Sequence, residues 1–503
     1  MDAFSNLTDH IGIGLQTALS LSNLIYCFVG VFAGMLIGVI PGIGALAAMS
    51  VLFPLTYHMD PVSALIMLAG IYYGGAYGGS TAAILLNLPG TPSSAVACLD
   101  GYPMARQGRA GVALFMTTAS SFIAGSIGIV VMMVFSPFIA SVALSFGPAE
   151  YFALMVLGVI AASTVSDGAP AKGIAMVVLG IIFGTVGTDI YTGIPRFNFG
   201  MTELFSGLSL VALAMGLFGV AEVIASIGAA NFGEVRDISL RSMIPTREDV
   251  RRSWLPSLRG TAIGSFFGTL PGTGSLIACY MSYAVERRLA DDPSRFGKGA
   301  IEGVVAPEAA NNAADQTAFI PTMTLGIPGS ASMALLLGVL VIHGITPGPR
   351  LMVDRPDMFW GLIMSFWIGN LILLILNIPL IGLWVRVLTI PYRYLYPAIL
   401  VFVCLGVFSV NNSAFDVWLV LAFGALGYAM RILDFPSAPL ILGFVLGPLM
   451  EENFRRALIL SRGDFAIFFN RPISGSLMAV TLLILAWGIW QTIRARRSSL
   501  QVA

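Results

Sequence analysis

LIYCFVGVFAGMLIGVIPGIG, residues 24–44, decides how this chain can fold. Leu24 to Ile40 is apolar on every face. A strand of a membrane barrel would alternate in polarity over about 10 residues; an all-round apolar run is a helix with no water beside it. Pro41, Gly42 and Gly44 then break that helix inside a stretch, Ile11 to Tyr57, that holds no Asp, Glu, Lys or Arg. Freed backbone groups at lipid depth find no water, so a break there must face protein or a wet cavity.

The rest of the chain repeats the message. Pro61 to Leu99, Ala110 to Ala149, Gly260 to Val285 and Met358 to Val385 also lack charge. Hydrophobic residues make up 57% of the 503 and charged ones 10%, where a soluble domain carries roughly 25% charged residues. Such a chain has lipid for its main solvent, and a spanning helix needs about 20 apolar residues. The expected fold is an all-α polytopic membrane protein in a lipid bilayer, with about 11–12 membrane segments. A net charge of zero gives nucleic acid no purchase. Cys27, Cys98, Cys279 and Cys404 are scattered without metal or redox spacing. Asp2 and Asp9 stand where a cleavable leader would be basic, so none is expected.

Two halves resemble each other. Gly34, Gly38, Pro41, Gly42 and Gly44 recur at one constant offset as Gly264, Gly268, Pro271, Gly272 and Gly274. Pro89-Gly90 recurs as Pro328-Gly329, Leu157-Gly158-Val159 as Leu405-Gly406-Val407, and Gly184 with Gly187 as Gly424 with Gly427. The order, more than any single match, argues for duplication. Residues 1–226 form the first membrane repeat, 227–259 a linker loop, 260–470 the second repeat, and 471–503 a last helix and tail.

Charge sets the orientation. Basic loops lie in the cytoplasm, which places there the linker with Arg236, Arg241, Arg247, Arg251, Arg252 and Arg259, and the C-terminal Arg494, Arg496 and Arg497. The first break is flanked by Asp9, His58 and Asp60, the second by Arg259, Arg287, Arg288, Arg295 and Lys298. Both flanks of each break are alike, and opposite between halves, as two inverted repeats with broken, re-entrant helices would have them. Arg350, Arg355, Arg455, Arg456, Arg462 and Arg471 fall outside in that scheme, against the rule.

Paired breaks in corresponding places of two repeats point to a mid-membrane binding site. They are Pro41 to Gly44 with Pro271 to Ser275, read as hinges, and Asn87 to Ser94 with Gly326 to Ser332, read as the solute site. A half-helix that begins after Pro-Gly presents unpaired N–H groups and a positive dipole end, which suit a carboxylate. Asn87, Pro89, Gly90, Thr91, Ser93 and Ser94 would face Gly326, Pro328, Gly329, Ser330 and Ser332. One such break would be read as a packing kink; four with hydroxyls are read as a site.

A second constellation is Glu302, Glu308, Asn311, Asn312, Asp315 and Thr317, several of which share a single helical stripe. An ionised group at a membrane centre costs about 2.5–3.5 kcal/mol on insertion scales, so Asn311, Asn312, Asp315 and Thr317 are expected to carry a coupling ion. The alternative sets Glu302 and Glu308 in a loop near the cytoplasmic arginines, and for Glu302 the two readings weigh evenly. Aligned by Thr81 and Thr317, the first half has Gly74, Gly75, Gly78 and Gly79 there, a packing seam. Asp189, Glu222 and Asp416 are expected at the surface, and His10, His58 and His343 without a role. No zinc-protease, nucleophile-elbow or P-loop motif occurs, and neither lysine precedes Ser or Thr. An enzyme is not expected.

Gly38 to Gly44, Tyr73-Gly74-Gly75 running on to Asn87-Leu88-Pro89-Gly90-Thr91-Pro92, Pro271 to Ser275, and Glu308 to Ala314 resemble the large membrane subunit of the tripartite tricarboxylate transporters over nearly the whole chain. The resemblance implies a bacterial inner-membrane protein with two partners, a periplasmic solute-binding protein and a small membrane subunit. It implies uptake of tricarboxylates or other small carboxylates, driven by sodium or protons, with no further cofactor. The residues alone leave open the membrane subunit of an ATP-driven importer and a passive channel.

Overall fold

The computed structural model describes residues 7–40, 44–165, 169–189, 191–226, 238–270, 274–388 and 392–502. They are mainly helical, with one two-residue antiparallel ribbon pairing Gly187 with Arg196. The first half holds α1 (Leu7–Ala18), α2 (Leu21–Val39), α3 (Gly44–Leu52), α4 (Pro61–Leu86), α5 (Ala95–Met104), α6 (Ala110–Ala143), α7 (Pro148–Val165), α8 (Pro170–Gly184) and α9, which runs from Leu210–Ala214 through a π turn into Ala221–Ser226. The second holds α10 (Arg247–Gly268), α11 (Gly274–Leu289), α12 (Glu302–Thr317), α13 (Phe319–Leu325), α14 (Ala331–Ile342), α15 (Pro356–Asn377), α16 (Ile381–Val387), α17 (Tyr392–Asn411), α18 (Ala414–Ile432), α19 (Ala438–Leu460) and α20 (Pro472–Val502). Four of these, α2, the continuous α5–α6, α15 and α18, are long and apolar enough by themselves to cross a membrane. Six more are apolar but shorter.

Helix starts follow local chemistry. Asp60 caps α4 by accepting from the Val62 and Ser63 amides at 3.0 and 3.4 Å, with Pro61 behind it. Thr246 and Asp249 close a capping box on α10. That helix begins inside the expected linker and runs unbroken past residue 260.

Close glycine contacts recur in the two halves. A Cβ added to Gly30, Gly34 or Gly38 of α2 would strike the carbonyls of Met67, Ile71 and Gly75 in α4. One added to Gly260, Gly264 or Gly268 of α10 would strike those of Ala306, Ala310 and Ala314 in α12. Small residues every fourth position let backbones touch, which is how helices associate where lipid is as apolar as leucine. This register corrects the sequence alignment: Gly75 corresponds to Ala314 and Gly78 to Thr317, three residues from the match through Thr81. The halves also exchange helices. Gly180 and Gly184 of α8 pack on Leu440 and Phe444 of α19, while Gly424 and Gly427 of α18 pack on Val220 and Leu217 of α9. Gly187 is different: at φ 119° it turns the chain into the ribbon, against Gly207.

Two surface expectations are overturned. Asp189 is only 4% exposed and Asp416 7%. Arg455 donates to Asp189 at 2.7 Å and Asn411 to Asp416 at 2.8 Å, so each carboxylate is covered by its partner. Glu222, half-buried, pairs with Arg431 at 2.8 Å. The histidines have neighbours: His10 stacks on Trp360, His58 reaches the Ser409 carbonyl, and His343 the Thr56 carbonyl.

Candidate functional site

Each half breaks at a left-handed residue. Asn87 (φ 58°) ends α4, and Gly326 (φ 69°) ends α13 at the corresponding position. The left-handed turn stops the helix, with the Asn87 amide donating to the Ala83 carbonyl and the Gly326 amide to that of Pro321. Pro89-Gly90 and Pro328-Gly329 follow. Gly90 lies so close to Gly38 and Gly79 that a side chain would collide with both, and Gly329 lies against Gly268 and Leu270. Gly38 and Gly268 are themselves counterparts, so the two turns are built alike.

Their hydroxyls differ. Ser94 Oγ accepts from the Thr91 amide at 3.1 Å, and Thr91 Oγ1 and Ser93 Oγ lie 3.1 Å apart. Ser330 caps α14, accepting from the Met333 amide at 3.3 Å. Asn87, Leu88 and Pro89 are exposed, with Gly90, Ser93 and Ser94 buried behind them and Thr91 half-buried. In the second turn Gly326, Pro328, Gly329 and Ser332 are buried and Ser330 half-buried. The first break opens on the surface; the second is shut under Pro347. Of the hinge residues, Gly44 and Gly274 begin α3 and α11 at φ 60° and 58°. Pro41, Gly42, Pro271 and Gly272 lie outside the described residues.

One stripe of α4 links the two turns. Tyr72, Gly75 and Gly79 follow one another along it. Ser330 stands beside Tyr72, Ala45 of α3 against Gly75, and Thr91 against Gly79. Seven helical residues span about 10 Å, so the breaks are neighbours along one helix. Tyr72 lies about 16 Å from the start of α4.

The same region faces α12. Tyr72 donates to Asp315 Oδ1 at 2.5 Å and Ser80 to Glu308 Oε1 at 2.7 Å. Next to them, Tyr73 donates to Gln316 at 2.7 Å, and Tyr77 to Asn370 of α15 at 3.2 Å. Ser275, from the second hinge, stands beside Asp315. Asp315, Glu308 and Asn311 are 3%, 2% and 0% exposed, and among the described residues no cation pairs with either carboxylate. Asn312 donates to Ser121 of α6 at 2.7 Å, and Thr317 donates back to the Ala313 carbonyl at 2.9 Å; both are held by packing contacts. Asn311 has no hydrogen-bond partner for either side-chain atom. Glu302 is the first residue of α12, in the helix where a loop was the alternative reading, and pairs with Arg295 at 3.2 Å, whereas Glu308 is buried.

Several residues escaped sequence reasoning. Tyr72, Tyr73, Tyr77 and Ser80 supply the hydroxyls that meet α12. Three tyrosines in an otherwise glycine-rich, uncharged helix were the available signal. Asp100 of α5 is fully buried and accepts from the Gly299 and Ala300 amides, each at 2.8 Å, and from Tyr283 at 2.9 Å. It ties the half-helix after the first break to the start of α12, and a lone Asp after a charge-free run was its only trace.

Broken helices around buried polar groups, in a chain with helices long and apolar enough to cross a membrane, fit a membrane protein of the transporter class. The chain belongs to the tripartite tricarboxylate transporter TctA family, whose description matches residues 24–442. It is 50% identical over 502 residues to a protein of Agrobacterium vitis described as an uncharacterized 52.8 kDa protein in the TAR-I ttuC' 3' region, covering 100% of this chain and 99% of that one. A second Agrobacterium vitis protein, described as uncharacterized in the TAR-II ttuC' 3' region, is 52% identical over 239 residues, 48% of this chain and 99% of the other. No solved structure matches.

Proposed function

We propose that this chain is the solute-translocating subunit of a binding-protein-dependent secondary transporter that takes up a small carboxylate across a bacterial inner membrane. A sodium or proton gradient drives it, a periplasmic binding protein delivers the solute, and a small membrane subunit completes the complex. One observation carries the reading: the same left-handed helix break occurs twice, beside one stripe of α4, open in one half and shut in the other. An open and a closed copy of one site are what alternating access requires of two inverted repeats. The turn amides and the Thr91, Ser93 and Ser94 hydroxyls would hold the carboxylate as neutral donors, without an arginine to trap it.

The polar contacts fit the inverted topology with the C-terminus in the cytoplasm. Arg109 pairs with Asp249, Gln107 with the Lys298 carbonyl, Lys172 with the Leu433 carbonyl and Arg431 with Glu222. Each pair falls on the side assigned to the basic loops. His58 with Ser409, Arg455 with Asp189, and Arg471 with Glu150 fall together on the other. Two of the arginines that break the charge rule there, Arg455 and Arg471, are anchored to the buried carboxylates of Asp189 and Glu150. An ATP-driven importer would need a cytoplasmic coupling loop. The segment available for it is largely committed to α10, which packs on α12 through Gly260.

Asn87→Ala and Ser93→Ala are expected to lower carboxylate uptake by vesicles at least about tenfold, the order seen when one positioning contact to a bound group is lost, with normal amounts of protein in the membrane. Full uptake by both variants would remove the solute site from the first break.

A further inference from the structure

Asn311 is a buried amide with nothing to bond. Its surroundings say what would complete it. Along α12, Asn311 lies between Asp315, which accepts from Tyr72, and Glu308, which accepts from Ser80; along α4, Ala76 lies between the two donors. Under the duplication, Asn311 corresponds to Tyr72 and Ala76 to Asp315. The polar pair of one crossing is therefore replaced in the other by an alanine facing an amide. A buried amide left unsatisfied is costly, and so are two buried carboxylates without a counter-charge.

We infer that Asn311 and Asp315 bind a sodium ion, with Glu308 orienting the amide. This rests on the proposed ion-coupled transport and names the ion and its ligands. Asn311 and Asp315 are one helical turn apart, so the amide oxygen and the carboxylate can share an ion, joined by the Ser275 hydroxyl. These are hard oxygen ligands, suited to an alkali or alkaline-earth cation and unsuited to a soft metal. With its oxygen on the ion, the amide nitrogen points at Glu308, three residues back, and donates to it. One ion then satisfies both orphaned atoms of Asn311 and neutralises one buried charge. The ligating residues sit beside Ser330 through Tyr72, so an ion there braces the closed second break.

Thermal unfolding of the purified full chain in detergent, titrated with sodium chloride against choline chloride at fixed ionic strength, tests this. The parent is expected to gain stability with sodium, because a ligand that binds only the folded form raises the midpoint. Asp315→Asn and Asn311→Leu should lose that response, with apparent affinity lowered roughly tenfold or more. Asn311→Leu also separates ligation from structure. It removes an amide that makes no hydrogen bond, so without sodium it should melt no lower than the parent. Thr317→Val, which loses only a bond to its own helix, should respond like the parent. A parent indifferent to sodium, or stabilised by acid alone, would overturn the inference, as would an Asn311→Leu variant that melts early in choline and still responds to sodium. Solute uptake is measured separately: sodium binding without uptake would refute the transport reading and leave the site, and uptake without sodium binding would do the reverse.

Discussion

A methyl group at Gly34 or at Gly264 would land on a carbonyl of the helix packed against it, Ile71 in one half and Ala310 in the other. Those two positions test the duplication residue by residue. Overpacking a close contact costs about 1–3 kcal/mol and more when backbone must move. Gly34→Val and Gly264→Val are each expected to lower the melting temperature by several degrees, whereas Gly12→Val, which would meet nothing within 4 Å, should leave it unchanged. Melting curves of the three variants in one detergent decide it. These glycines could be read from the sequence because a missing side chain, repeated at fixed spacing, is itself a pattern. Tyr72 with Asp315 could not: nothing local in either residue names its partner, and the bond exists only once α4 and α12 cross.

At the scale of elements, α8 and α19 are pinned outside the membrane by Asp189, Arg455, Arg196 and Glu451. The Arg455 hydrogen bonds, with the Tyr191 and Thr192 amides, hold the Asp189 carboxyl well below the usual range. A carboxyl lowered in the folded state stabilises it above its unfolded value of about 3.9 and loses that contribution as pH falls further. Asp189→Asn should therefore melt below the parent near neutral pH, with the gap closing as the pH is taken below about 4. A gap that stays constant across that range would mean the pair is held by packing instead. The expectation of a surface Asp189 failed for an identifiable reason: Arg455, the partner that covers the acid, stands 266 residues away in the sequence, and nothing local to either residue names the other. Element types were easier. Long uncharged runs admit only helices, and the left-handed stops at Asn87 and Gly326 coincide with the Asn and Gly that tolerate them. The short, half-apolar helices α3, α11 and α13 follow from the breaks, and their lengths are set by packing that the sequence does not display.

At the scale of the whole molecule, the two halves pack into one another through α6, α8, α15 and α18. Tyr73 of α4 packs edge-on against Phe366 of α15 with ring centres 5.0 Å apart, while Asn312 of α12 is held by Ser121 of α6. The polar half carries the acids and the other carries glycines, so equivalent places have diverged into a packed seam and a chemically loaded one. That division was legible in the sequence, although with the register three residues off. The difference in exposure between the two breaks was not, because it depends on packing, such as Pro347 against Gly326, that the sequence does not display.

The central claim is that these breaks are two gates of one path. In a variant lacking Cys27, Cys98, Cys279 and Cys404, the substitution Leu88→Cys or its counterpart Ile327→Cys supplies a single thiol. That thiol can be reacted with a membrane-impermeant reagent from each side of oriented vesicles. Leu88 is 38% exposed and Ile327 fully buried. The Leu88→Cys thiol is expected to react from the cytoplasmic side only, and the Ile327→Cys thiol hardly at all. An imposed ion gradient with binding protein and solute should reverse the two, exposing position 327 to the opposite face. Reaction of both from one side, or a pattern that no gradient or solute changes, would contradict it.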